Sequence, residues 1–328
     1  MTEPQPPLQF ALSTAHLDDE IVASALRFLF NEHQLAVVLL KEIMTLMPDP
    51  SLWRLTVTGD VIKSVNEIEQ RTDGDSYTTD RGAGRVGART IAHADGTFDL
   101  VISADVLFST DEDLGGVEGL TTHALAVAAH LALHEAGHAL LHVRHEDANA
   151  TVDLVDVNET DQGWRHYVAA HVDDYRIEAH TTRHAPSPFR HAMHLESAIK
   201  HLRDELNAAR RSWREDIDAA LRQTMSAAND MFRVIAYLAA ELGSNDQGRP
   251  NRPDPVPEGW QTYLEDSWDE WASTYQRLRA VDEPMRTDEI AEIVGELCVI
   301  AGAWLGSIGV DYGFTGGREY VFWTNETY

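Results

Sequence analysis

The stretch that most constrains this chain is Leu131-Ala-Leu-His-Glu-Ala-Gly-His-Ala-Leu-Leu-His142, and within it His134-Glu135-Ala136-Gly137-His138. In a helix, His134 and His138 stand one turn apart on the same face, so both imidazoles can reach a single cation. Glu135 lies about 100° further round, near enough to polarise a water on that cation without taking a coordination position. From Leu120 to Val143 nearly every residue other than His and Glu is Ala, Leu, Val, Thr or Gly. A helix apolar on all sides belongs in a core. Two histidines and a glutamate carried in with it need partners or a metal to offset their lost hydration. The competing reading is a pair of ordinary core histidines in a chance five-residue match.

His130, His134, His138 and His142 recur every four residues, a row that drifts slowly round a helix, so they do not all face one ion. Only His134 and His138 bracket a glutamate, and they are the expected metal ligands, with Glu135 as general base. His142 is expected beside the site, and His123 and His130 as hydrogen-bonded core or rim residues. Zinc suits such a pair: a catalytic zinc takes three protein ligands and leaves one position for water, whose pKa it lowers to about 7. The third ligand is sought on Trp164 to His180, which reads as a helix with His171, Asp174 and Glu178 on one face. Either Glu178 or Asp174 is expected to bind while the other orients a ligand histidine. Glu178 is preferred, then Asp174, then His171, although spacing does not separate them. The same face would serve equally for surface charges paired with Arg176 and Arg183. Asp173 is expected to point elsewhere, and Tyr175 has a weak claim to stabilising an oxyanion.

The net charge of −28, from 54 acidic and 26 basic residues, opposes nucleic acid and anionic membrane surfaces as partners, since phosphate binding draws on clustered Lys and Arg. The lone cysteine, Cys298, cannot form an intramolecular disulfide, fits a reducing compartment, and sits in an apolar segment where a buried structural thiol is expected. Met1-Thr-Glu-Pro-Gln-Pro-Pro7 has neither a basic nor an apolar signal region, and no transmembrane span is expected, because histidines and Glu135 interrupt the most apolar stretch. A cytoplasmic location follows as an expectation.

In chain order, residues 1–8 are expected to be a disordered tail and 9–242 a single domain ending in long helices. Residues 243–259, with four prolines, read as a linker, and 260–328 as a helical segment packing on the core. Asp18 to Met47 has helical periodicity for one or two helices, ended by Pro48 and Pro50. Leu52 to Ile68 reads as strand followed by strand or short helix. Gly82-Ala-Gly-Arg-Val-Gly87 matches G-x-G-x-x-G but follows a polar loop and precedes strand-like sequence, so it is read as a turn. Thr90 to Ser103, interrupted by Asp95-Gly96, is a hairpin with an expected type I′ turn, whose edge could hold an extended peptide. Asp111 to Gly116 is expected to be a solvated acidic turn and Glu146 to Gly163 a surface loop. Leu195 to Leu242 is one long helix or two. Trp260, Trp268, Trp271, Tyr275 and Trp304 are expected in the core.

His134-Glu-Ala-Gly-His-Ala-Leu-Leu-His142 resembles the active-site helix of zincin metallopeptidases of the gluzincin type, and most of all the ImmA/IrrE group, where it commonly reads H-E-x-G-H-x-L-L-H. The resemblance spans about Leu120 to Pro186. It implies an α+β fold in which a small mixed sheet packs on the active-site helix, followed here by a long helical C-terminal extension. It also implies His134 and His138 as zinc ligands, Glu135 as general base and a carboxylate, Glu178 or Asp174, as third ligand. The group's E-x-x-A-[ND]-x-F-A pattern is not reproduced around Asp174 to His180, and the chain shows no helix-turn-helix module. The function expected is a zinc-dependent endopeptidase acting on a protein or peptide. One alternative is a catalytically silent zincin-fold interaction protein. Another is a di-iron carboxylate protein, since Glu135-Ala-Gly-His138 is also an E-x-x-H; that class needs a second copy, and the sequence has none. Nothing in the residues indicates an oligomeric state.

Overall fold

The computed structural model describes residues 10–79, 86–110 and 114–328. The chain is α+β and divides into two compact units. The first is built from the described residues up to Val143 together with Arg183–Pro188, the second from Arg144–Thr182 and Phe189–Tyr328.

In the first unit, strands β1 (Ala11–Ala15), β2 (Trp53–Thr58), β3 (Ala88–Ala92) and β4 (Phe98–Ser103) form one mixed sheet in the order β1-β2-β4-β3. β1, β2 and β4 run parallel, and β3 closes one edge antiparallel to β4. Around it lie α1 (Glu20–Glu32), α2 (Leu35–Leu46), α3 (Val61–Glu69), α4 (Ala104–Leu107) and α5 (Val117–Val143). Local chemistry sets the boundaries. Asp19 caps α1 by accepting from Ile21 and Val22, Asp60 caps α3 by accepting from Lys63, and Gln34 in the left-handed region separates α1 from α2. The β3–β4 turn differs from the type I′ expectation. Gly96 N–H bonds His93 O, His93 N–H bonds Thr97 O, and only Gly96 has positive φ, at 81°. That is a three-residue loop with glycine at its left-handed position; type I′ would demand positive φ at Asp95 as well. α5 packs against α2, whose Leu35, Leu39 and Ile43 are fully buried, and against β3 and β4. Gly82 to Arg85 of the glycine-rich stretch, Asp111 to Asp113 of the acidic turn and the tail 1–8 lie outside the described residues.

The second unit contains α6 (Glu159–His184, the last two residues excepted), α7 (His191–Ser212), α8 (Ile217–Leu242), α9 (Trp260–Tyr263), α10 (Glu265–Tyr275) and α11 (Thr287–Ser307). Asp216 divides α7 from α8 by accepting from Ala219 N–H. Trp260, Trp268, Trp271, Trp304, Tyr275 and Phe232 are buried together. The proline-rich residues 243–259 are fastened to α10, since Trp268 Nε1 donates to Asn251 O at 2.8 Å and Gln276 Nε2 to Gly243 O at 3.0 Å. The end of the segment 260–328, expected to be helical, is instead an antiparallel hairpin of β5 (Val310–Thr315) and β6 (Arg318–Trp323). It is pinned to the start of α6, where Thr160 Oγ1 accepts from Phe314 N–H and Glu159 Oε2 from Gly317 N–H. Gly163 permits this approach: a Cβ there would sit 2.5 Å from Phe314 Cε2.

The connection expected as a surface loop is partly interior, because residues Ala148–Leu154 turn as a 3-10 helix with Thr151 and Val152 buried. Glu146 is buried too. Its Oε2 accepts from the fully buried Arg176 at 2.6 Å and from Met285 N–H, while Arg176 also donates to Arg279 O and Glu283 O. One ion pair thus organises the segment leading into α11. Two segments are long and apolar enough to cross a membrane by length and composition: Val117–Leu154, which contains α5, and Thr287–Ser307; 72% and 50% of their windows are buried. Core helices pass the same test.

Two outcomes follow. Glu146→Gln leaves the Arg176 charge uncompensated in the interior and should cost about 3–5 kcal/mol in urea unfolding, with Arg176→Met plus Glu146→Leu recovering much of it. Burial pushes the Cys298 thiol up to about 12, so a disulfide reagent at pH 8 should leave it unmodified in the native chain and titrate one thiol after denaturation.

Candidate metal centre

α5 delivers the histidine row as its sequence pattern requires. With 3.6 residues per turn, each step of four advances about 40°, so successive histidines diverge only gradually. His134 is 8% exposed and Glu135 5%, while His138 is half-buried. His134 Nε2 and His138 Nε2 lie 3.2 Å apart, their rings tilted 70° to each other. Two nitrogens held at about 2.0–2.1 Å from one tetrahedral ion stand about 3.3 Å apart, so this pair has the bite of a bidentate zinc site.

Glu135 projects away from the histidine row toward the sheet edge. Thr90 Oγ1 on β3 lies 2.7 Å from Glu135 Oε2 and 2.9 Å from Glu135 O. The carboxylate is therefore tethered to β3 through the Thr90 hydroxyl. His130, expected only as a core or rim residue, is held by Nδ1 3.0 Å from Ala185 O. A carbonyl only accepts, so the imidazole donates to it from Nδ1, and this bond sets the plane of the ring. His123 Nε2 likewise donates to Ser109 O at 3.0 Å, in keeping with a hydrogen-bonded core histidine. His142 is exposed and meets Phe98 edge-on.

On α6, the face predicted to supply the third ligand holds His171, Asp174 and Glu178. Glu178 is 1% exposed. His171 Nε2 bonds Asn229 Oδ1 at 3.0 Å, and its Nδ1 lies 3.7 Å from Asp174 Oδ2. Asp173 points elsewhere, accepting from Ala148 N–H, and desolvation holds its carboxyl well above the usual range. Arg176, weighed as a surface partner for this face, is buried against Glu146. Tyr175 stacks on Tyr275 at 5.1 Å within the hydrophobic core.

Among the described residues, two groups of side chains could hold a metal ion: buried His130, His134 and Glu178, and His134, His138 and Asp174, with the ligand atoms of each group within 4.8 Å of one another. His134 belongs to both. His171 belongs to neither. Each group joins imidazole nitrogen to carboxylate oxygen, a donor set suited to zinc and other divalent transition metals. His130 is the residue sequence reasoning set aside. Its signal was present in the spacing, because a residue four before His134 is displaced by only about 40° round the helix.

No family model, no curated protein and no solved structure matches this chain.

Proposed function

We propose that the chain is a zinc-dependent endopeptidase of zincin-like build, with Glu135 as general base and His134 and His138 as zinc ligands. Asp174, grouped with both of these histidines, completes the set; Glu178, grouped instead with His130 and His134, is the alternative third ligand. The observation that carries this reading is the 3.2 Å approach of His134 Nε2 to His138 Nε2 on a buried helix whose intervening Glu135 is tethered at the sheet edge. When bound, zinc supplies the Lewis acidity that brings the pKa of water to about 7 and polarises a carbonyl oxygen.

The chain's own residues do the rest. Glu135 Oε2 is engaged by Thr90, which leaves Oε1 to receive the proton that water loses on attacking the scissile carbonyl carbon. The same carboxyl then delivers that proton to the departing nitrogen as the C–N bond breaks, so atoms and charge balance across the hydrolysis. Among the described residues β3 pairs with β4 on one side only and forms an edge of the sheet. Its outer main-chain groups suit an extended peptide added as a further strand. A polypeptide substrate also fits a chain of net charge −28, which disfavours nucleic acid.

Protein purified without chelator should contain about one zinc per chain by elemental analysis, and His138→Ala should lose most of it. Glu135→Gln should keep the metal yet lose peptide-library cleavage by about 100-fold or more. Metal-free protein, or undiminished cleavage by Glu135→Gln, would overturn the assignment.

A further inference from the structure

Thr90 makes two contacts to a single residue. Its hydroxyl lies 2.7 Å from the Glu135 carboxylate and 2.9 Å from the carbonyl oxygen of the same glutamate. A hydroxyl has one proton to donate and two lone pairs that accept. The carbonyl can only accept. One hydroxyl thus ties both the backbone and the side chain of Glu135 to β3, a link that a valine of similar shape would not make.

Thr90 is placed for this by the fold. It sits mid-strand on β3, opposite Leu100 of β4, with its backbone fixed by the ladder. Its side chain is partly buried toward α5, on the strand read above as the peptide-binding edge. One residue thus links the substrate-facing strand to the side chain proposed to move the proton.

We propose that Thr90 is a positioning residue for Glu135, fixing the carboxylate's orientation against β3 through its hydroxyl. The proposal rests on the peptidase reading for its catalytic meaning but not for the contact itself.

The test uses the full chain substituted with cobalt, titrated with acetohydroxamate and followed by the visible absorption band. A hydroxamate chelates the ion and surrenders a proton to the neighbouring base, so its affinity reads the placement of Glu135. Thr90→Val should retain wild-type metal content and bind acetohydroxamate about tenfold more weakly, and Thr90→Ser should restore affinity to within about twofold. A second measurement needs no metal: in the presence of chelator, Thr90→Val should lower the melting temperature in the wild-type background and much less in the Glu135→Ala background. Equal losses in both backgrounds, hydroxamate affinity unchanged by Thr90→Val, or failure of Thr90→Ser to rescue would overturn the role of Thr90. Absence of metal from wild type would instead overturn the peptidase reading, and the thermal cycle would then decide the contact alone.

Discussion

The constraint on which this structure depends is the burial of ionisable side chains on a helix with no polar face. α5 carries His130, His134 and Glu135 into the interior among a majority of buried Ala, Leu and Val. Hydration lost there must be replaced atom by atom. The replacements are specific: a strand hydroxyl for Glu135 and a backbone carbonyl for His130 Nδ1. Each fixes orientation as well as energy, because a hydrogen bond to one ring nitrogen sets the plane and tilt of the imidazole.

The fold supplies those replacements from elements near in space and remote in sequence. Thr90 precedes Glu135 by 45 residues, and Ala185 follows His130 by 55. The mixed sheet brings the first into place because β3 turns back on β4 through Asp95-Gly96, which puts an antiparallel edge alongside α5. A purely parallel sheet of the same strands would need a crossover connection at this edge. The hairpin is thus the cheapest way in residues to set a hydroxyl-bearing strand next to the histidine-bearing helix.

Much of this was legible from residues alone, and the gaps have physical causes. The helix, the hairpin and the alignment of Asp174 with Glu178 follow from periods of 3.6 and 2, which sequence displays directly. His130 was passed over because the rule that ligands bracket a glutamate is a rule about one helix turn, whereas a metal centre also answers to what the next turn offers. The turn type was misread because Asp-Gly suits two loop lengths, and only the positive φ of Gly96 without that of Asp95 distinguishes them. β1 and the C-terminal hairpin escaped notice for another reason. Ala11–Ala15 is short and weakly apolar, and in Val310 to Trp323 the aromatics fall on both faces, so alternation is blurred. The burial of Glu146 and Arg176 depends on a pairing 30 residues apart that no local pattern announces.

The C-terminal hairpin has a consequence for how the chain comes to be folded. Its clasp on the first turn of α6 joins Thr160 to Phe314 and Glu159 to Gly317, separations of 154 and 158 residues. Contacts so remote cannot form during synthesis until the chain has been made past Gly317. The helix bearing Asp174 and Glu178 therefore waits for this clasp on residues made 154 and 158 positions later, and a nascent chain carries its histidine helix long before its acidic one is secured.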